Sequence, residues 1–125
     1  MTKKGMQQER NLVRYLNNKG YPAVRVAGSG AGTKRPTPDI LICDGRNHYA
    51  VELKSSSQNM IYISKDQVDN LKEFSDLFKA VPLICANFTY MNYCFFPIDR
   101  LTVTDGLNYK ISRLEAKNNK KQLFV

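Results

Sequence analysis

The feature that most constrains this chain lies in residues 38–54. Pro38-Asp39 opens the stretch, Ile40-Leu41-Ile42 follow, Asp44-Gly45-Arg46-Asn47 interrupt the run, and Tyr49-Ala50-Val51-Glu52-Leu53-Lys54 close it. Two apolar runs of strand length around a short Asp/Gly/Asn segment predict a β-hairpin. Successive side chains of a strand point to opposite faces, so Glu52 and Lys54 share one face and Val51 and Leu53 the other. Asp39 stands at the start of the neighbouring strand. Two acids converging beside a mainly apolar hairpin are costly: carboxylates about 4 Å apart repel by roughly 4 kcal/mol at an effective dielectric of about 20. Either a cation neutralises them or one takes up a proton. A divalent metal ion is the preferred reading.

The chain has 125 residues, 42% of them hydrophobic, which suits one domain over residues 1–125 with one core. Lys and Arg number 19 against 11 Asp and Glu, giving a formal net charge of +8. That balance favours an anionic partner, nucleic acid first and a membrane surface second. No apolar run reaches membrane-spanning length, and the polar start through Arg10 argues against a signal peptide. Cys43, Cys85 and Cys94 are odd in number, sit in apolar strand-like runs and lack zinc-ligand spacing. They are expected to be reduced core residues of a cytoplasmic protein.

Residues 6–18 predict a helix with Leu12, Val13 and Leu16 as its apolar stripe and Gly20 as its left-handed cap. Glu9 falls on that stripe. Compensation of the helix dipole explains an acid in a first turn better than it explains an acid on the buried face. Arg10 and Arg14 lie one turn apart on an adjoining face, where they are solvated or meet phosphates. Residues 21–27 predict a strand around Val24 and Val26, with Arg25 on its other face facing either a structural carboxylate or a phosphate. The Gly-rich basic segment 28–38 fits neither a phosphate-binding loop nor a dinucleotide fingerprint. It suits a loop that orders on DNA, with Lys34 and Arg35 at phosphates and Ser29 near the site. Ser64 caps a helix over residues 65–79 whose buried stripe is Leu71, Phe74 and Phe78. Gln67 projects onto this stripe and needs hydrogen-bond partners there. Residues 82–88 and 91–96 predict two more strands. Beyond Pro97 the pattern fades to a short edge strand at 101–103 and a basic turn or arm at 117–121.

In order, the chain offers a helix with Glu9, a strand with Arg25, a loop, Asp39, a hairpin ending in Glu52-x-Lys54, and a helix with Gln67. This series resembles the PD-(D/E)XK nuclease superfamily. More narrowly, Gly5-x-x-x-Glu9-Arg10-x-Leu12-Val13, Gly20-Tyr21-x-x-Val24-Arg25, Gly28-Ser29-Gly30, Pro38-Asp39-Ile40 and Glu52-Leu53-Lys54 resemble the archaeal Holliday junction resolvases. The resemblance spans residues 5–96, the expected nuclease core, and leaves 97–125 as an extension. It implies an α/β, restriction-endonuclease-like fold with a central mixed β-sheet flanked by helices. It also implies a homodimeric, Mg²⁺-dependent endonuclease (Mn²⁺ substituting) that resolves four-way DNA junctions by paired nicks in recombination and repair. By the same likeness Glu9, Asp39 and Glu52 are metal ligands, Lys54 positions water or stabilises the transition state, and Ser29 is an active-site loop residue.

The residues support these roles without the family. Carboxylate oxygens suit a hard cation such as Mg²⁺ or Mn²⁺. His48, the one histidine, has no evident partner, which disfavours a histidine-based nuclease. The alternatives are a related nuclease acting on other DNA and a junction-binding protein without catalysis.

Overall fold

The computed structural model describes residues 3–26 and 36–119. Ser29, Lys34 and Arg35 lie outside the described residues. The first helix, α1 (Lys3–Asn18), ends at Gly20, whose φ of 91° is the left-handed conformation a helix stop requires. The hairpin forms as predicted from β2 (Ile40–Cys43) and β3 (His48–Ser56) in antiparallel register. Asp44 makes the turn. Its Oδ1 accepts the backbone N–H groups of Arg46 (2.9 Å) and Asn47 (2.7 Å), and its Oδ2 accepts the Tyr49 hydroxyl (2.7 Å). These donors hold its carboxyl down at about 2, the Asn47 N–H contributing most.

β1 (Ala23–Arg25) adds to β2. β5 (Val81–Phe88) runs parallel to β3, and β6 (Cys94–Pro97) returns antiparallel to β5. The resulting sheet has the order β1-β2-β3-β5-β6. The crossover from β3 to β5 carries β4 (Met60–Ile63) and α2 (Lys65–Phe78), capped reciprocally by Ser64 and Gln67. One sheet face buries Ile40, Ile42, Val51, Leu83 and Cys85 against Leu12 and Leu16 of α1. The other buries Ala50, Ile84 and Ala86 against Val68 and Leu71 of α2.

The structure differs from the sequence expectations in four places. Val24 is not core: β1 is an edge strand and Val24 is 59% exposed. Phe78 is not part of a buried stripe: it is 50% exposed and stacks on Phe74, centroids 5.1 Å apart. Cys85 is buried, whereas Cys43 and Cys94 are half-buried; all three are unbridged. Residues 98–119, where the sequence pattern fades, carry regular elements, and the edge strand expected at 101–103 is among them. β7 (Thr102–Val103) and β8 (Tyr109–Ser112) join β4 in a second sheet of order β4-β8-β7, and α3 (Arg113–Asn118) follows. No helix among the described residues is long and apolar enough to cross a membrane.

Candidate active site

β2 begins at Ile40, opposite Val51 of β3. Beyond that point β3 keeps β5 on one side and has no strand on the other among the described residues. Asp39 fills the first part of the gap. Its backbone N–H donates to Val51 O (3.0 Å), and its Oδ2 accepts the Leu53 N–H (2.9 Å). This places the Asp39 carboxylate next to Glu52.

Glu9 reaches the same spot from α1. It is 4% exposed, on the stripe with Leu12 and Leu16, and its carboxyl and that of Asp39 act on one another electrostatically. Two partly buried acids this close resist ionising together, so a proton or a cation is favoured there. Arg25 approaches from β1, its Nη1 3.5 Å from Glu9 Oε1. Of the two partners foreseen for Arg25, the structural carboxylate is the one present. Arg25 lies on an edge strand.

The site is crowded with negative charge. Burial raises the Glu9 carboxyl above its usual range and the Asp39 charge adds to this, while the Arg25 hydrogen bond and charge pull it down. Burial also raises Asp39, against the opposing pull of the Leu53 N–H, the Lys54 charge and the Glu9 side chain. Glu52 is pushed up to about 8, by burial first and then by the Asp39 charge, with Lys54 opposing. Glu52 and Lys54 both point to the α2 face of the sheet, in register with Ile84 and Ala86. Three acids from separate segments and one ammonium thus act on one another. No group of three acids, histidines or cysteines among the described residues is drawn in tightly enough to be a ready-made metal cluster.

Beside Glu52 is a hollow of about 150 Å³, lined also by Thr37, Gln67, Asn70 and Leu71. At roughly 30 Å³ per water it accepts an ion with part of its hydration. Thr37 Oγ1 is buried there with no hydrogen-bond partner among the described residues. An all-oxygen donor set with excess negative charge and an unsatisfied hydroxyl fits a hard divalent cation. Gln67 spends its side-chain oxygen on the Ser64 N–H (3.1 Å), so it is first a helix cap, half-buried at the wall of this hollow. Arg10 is exposed, and His48 is exposed. Thr37 and Asn70 were not singled out from sequence, because nothing local marks a threonine before a proline or an asparagine within a helix as site residues.

A mixed sheet whose hairpin sets an Asp at one strand start and Glu-x-Lys on the next, with a helix Glu behind, is the layout of PD-(D/E)XK nucleases. The chain matches the family described as archaeal Holliday junction resolvase (Hjc) over residues 1–122. It is 36% identical to the crossover junction endodeoxyribonuclease Hjc of Archaeoglobus fulgidus over 111 residues, 89% of this chain and 80% of that protein. It is 32% identical to the Hjc of Methanocaldococcus jannaschii over 120 residues, 91% of this chain and 80% of that protein. The solved structure of Archaeoglobus fulgidus Hjc, a Holliday junction resolvase, superposes with a TM-score of 0.81 at 32% identity, covering 90% of this chain and 91% of that one. This chain belongs to the archaeal Holliday junction resolvase family, and as a member it is an enzyme of the nuclease class.

Proposed function

We propose that this chain resolves four-way DNA junctions by hydrolysing phosphodiester bonds with Mg²⁺, or Mn²⁺ in its place, during recombination and repair in the cytoplasm. The observation that carries this reading is the meeting of Glu9, Asp39 and Glu52 at the uncovered edge of β3, with Lys54 alongside. Those three carboxylates would hold the ion. When bound, it supplies Lewis acidity, activating water and neutralising phosphate oxygens.

The chain's own groups do the rest. Asp39, fixed by Leu53 N–H, presents its remaining lone pairs outward. The Lys54 ammonium stabilises the charge that grows on the phosphate oxygens as water adds and the leaving oxygen departs. Arg25 keeps Glu9 nearer its ionised form. Gln67 borders the Glu52 hollow and supports that side chain. Ser29 acts from the segment before Asp39, while Arg10, Arg25, Lys34 and Arg35 serve the phosphate backbone.

Two related cuts require two related sites, and a twofold dimer supplies them. An apolar surface supports dimerisation. Val24 and Phe78 line one hollow with Pro22 and Leu41, and Leu77 (64% exposed) and Val81 (40%) are further exposed apolar side chains. The test is cleavage of a labelled four-way junction in Mg²⁺ with the same arms as duplex competitor. Paired nicks in the junction alone support the proposal; equal cutting of linear duplex, or tight binding without cutting in Mg²⁺ and Mn²⁺, overturns it.

A further inference from the structure

Next to the site but outside it lies an open groove of about 500 Å³, lined by Lys4, Gln8, Ser55, Ser57, Asn87 and Thr89 among others, with no acid in its wall. In a site dominated by carboxylates, a neighbouring surface of ammonium, amide and hydroxyl groups is a change of chemistry. Every one of these side chains can donate a hydrogen bond.

The groove and the carboxylate cluster are built on neighbouring residues of the same two elements. Gln8 precedes Glu9 on α1, and Ser55 follows Lys54 on β3. Ser55 and Asn87 are paired neighbours across β3 and β5, so both lie on the α1 face, opposite Lys54. The groove and the Glu52–Lys54 pair therefore lie on opposite faces of neighbouring positions of β3, whose edge is uncovered between them. Backbone groups alternate from side to side along a strand. Since Leu53 turns its N–H to that edge, to Asp39, Ser55 turns its N–H the same way. It has no strand partner there among the described residues. Three residues of strand, roughly 10 Å, separate Ser55 from Glu52, a span that leaves room for the next one or two phosphates of a nucleic-acid strand.

The floor of the groove is built to stay put. Arg113 donates to Thr89 O (2.9 Å), Gln58 O (2.8 Å) and Asn59 Oδ1 (3.2 Å), and it lies over the Phe88 ring at 5.1 Å. The Thr89 N–H and hydroxyl both donate to Ser56 O. Arg113 is thus a positioning residue: it ties the end of β3 to the end of β5 and is occupied in doing so.

We propose that this groove seats the phosphate backbone of the cut strand on one side of the reactive phosphate, with Lys4 supplying charge and Gln8, Ser55 and Asn87 supplying neutral donors. It rests on the reading that Glu9, Asp39 and Glu52 mark the cleavage point. The test combines a methylphosphonate scan of the cleaved strand with Lys4→Ala and the isosteric Asn87→Asp, measuring junction affinity without divalent cation and single-turnover cleavage with Mg²⁺. For the wild type, one neutral linkage a step or two from the cut should weaken binding about tenfold. Both variants should lose a similar factor on the all-phosphate junction and lose nothing more at that linkage. Lys4→Ala should also flatten the slope of log affinity against log salt by about one. Should Asn87→Asp fail to fold, Lys4→Ala, on an exposed side chain, decides the matter. Wild-type behaviour in Lys4→Ala, or losses that simply add to those of the neutral linkage, would overturn the groove assignment. A wild-type protein that never cuts junctions would instead sink the proposed function.

Discussion

Asp39 continues β2 with its side chain: its Oδ2 takes the Leu53 N–H at 2.9 Å on the edge of β3 that the strand backbone has left uncovered. The carboxylate is thereby fixed, but one backbone donor and the Lys54 charge do not offset its burial, so its pKa stays raised. A side chain held rigidly in an unfavourable charge state is poised to gain from a cation. The fold supplies the position, and the incomplete ladder supplies the space.

This relationship makes Asp39→Asn a clean substitution. The amide oxygen of Asn accepts the Leu53 N–H as the carboxylate does, so the strand edge is kept while the charge is lost. Cleavage should fall by about 10²-fold or more, with junction affinity and melting temperature nearly unchanged. Glu52→Gln should lose cleavage by a similar factor with junction affinity kept. Gel-shift and single-turnover assays on the same preparations check both, and wild-type cutting rates in either variant would refute the assignment.

Arg25 acts on Glu9 and on no other acid that the geometry pairs with it. Its removal takes away the influences that lower the Glu9 pKa, so ionisation of Glu9 moves to higher pH. In Arg25→Ala the acid limb of the cleavage pH profile should shift upward, with activity partly regained on raising the pH, and Arg25→Lys should fall between. The fold should lose about 2 kcal/mol or less, because Glu9, already raised, can take up a proton rather than remain a bare buried charge. An unshifted profile would separate Arg25 from Glu9.

The hairpin was legible because its information is local: apolar runs, and an Asp44-Gly45 turn whose φ of 91° glycine readily adopts. Glu9 was legible because an acid on an apolar stripe violates the pattern around it. What escaped depends on distant partners. Whether Val24 is core or rim is decided by β1 lying at the sheet edge, and Phe78 by which turn of α2 faces the sheet. Residues 98–119 contribute few buried apolar side chains, Leu101, Ile111 and Ala116, too few for a periodic signal. One local sign was there: Ser112 and Glu115 form a reciprocal cap at the start of α3, and the S-x-x-E spacing announces it. The cavity wall of Thr37 and Asn70 had no such sign.

The raised Glu52 carboxyl fixes a pH dependence of stability. Its value of about 8 in the fold lies above its ordinary 4.5. Between those limits the folded state holds a proton that the unfolded chain has released, so stability falls as pH rises, by at most about 1.4 kcal/mol per pH unit. The contribution is complete below 4.5 and gone above about 8. Without divalent cation the melting temperature should drop across this window, and Glu52→Gln should flatten the drop. Added Mg²⁺, which needs the deprotonated ligand, should stabilise more at pH 8 than at pH 5. A melting temperature of the wild type that is level from pH 5 to 8 would contradict the buried-acid account.

Phe78 tests the dimer. It is half exposed, stacked on Phe74, and lines an apolar hollow with Val24 and Leu41. Fully burying an aromatic side chain of this kind contributes about 2 kcal/mol or more, and a twofold contact counts it twice. Phe78→Glu puts like charges against each other at such a contact while leaving the buried Val68 and Leu71 of α2 untouched. Sedimentation should show the wild type as a dimer and Phe78→Glu as a monomer of the same helix content. On a junction in a small supercoiled circle, where both cuts are needed within the life of one complex, the variant should accumulate nicked circles instead of linear product. A Phe78→Glu protein that remains dimeric would place the interface on another face.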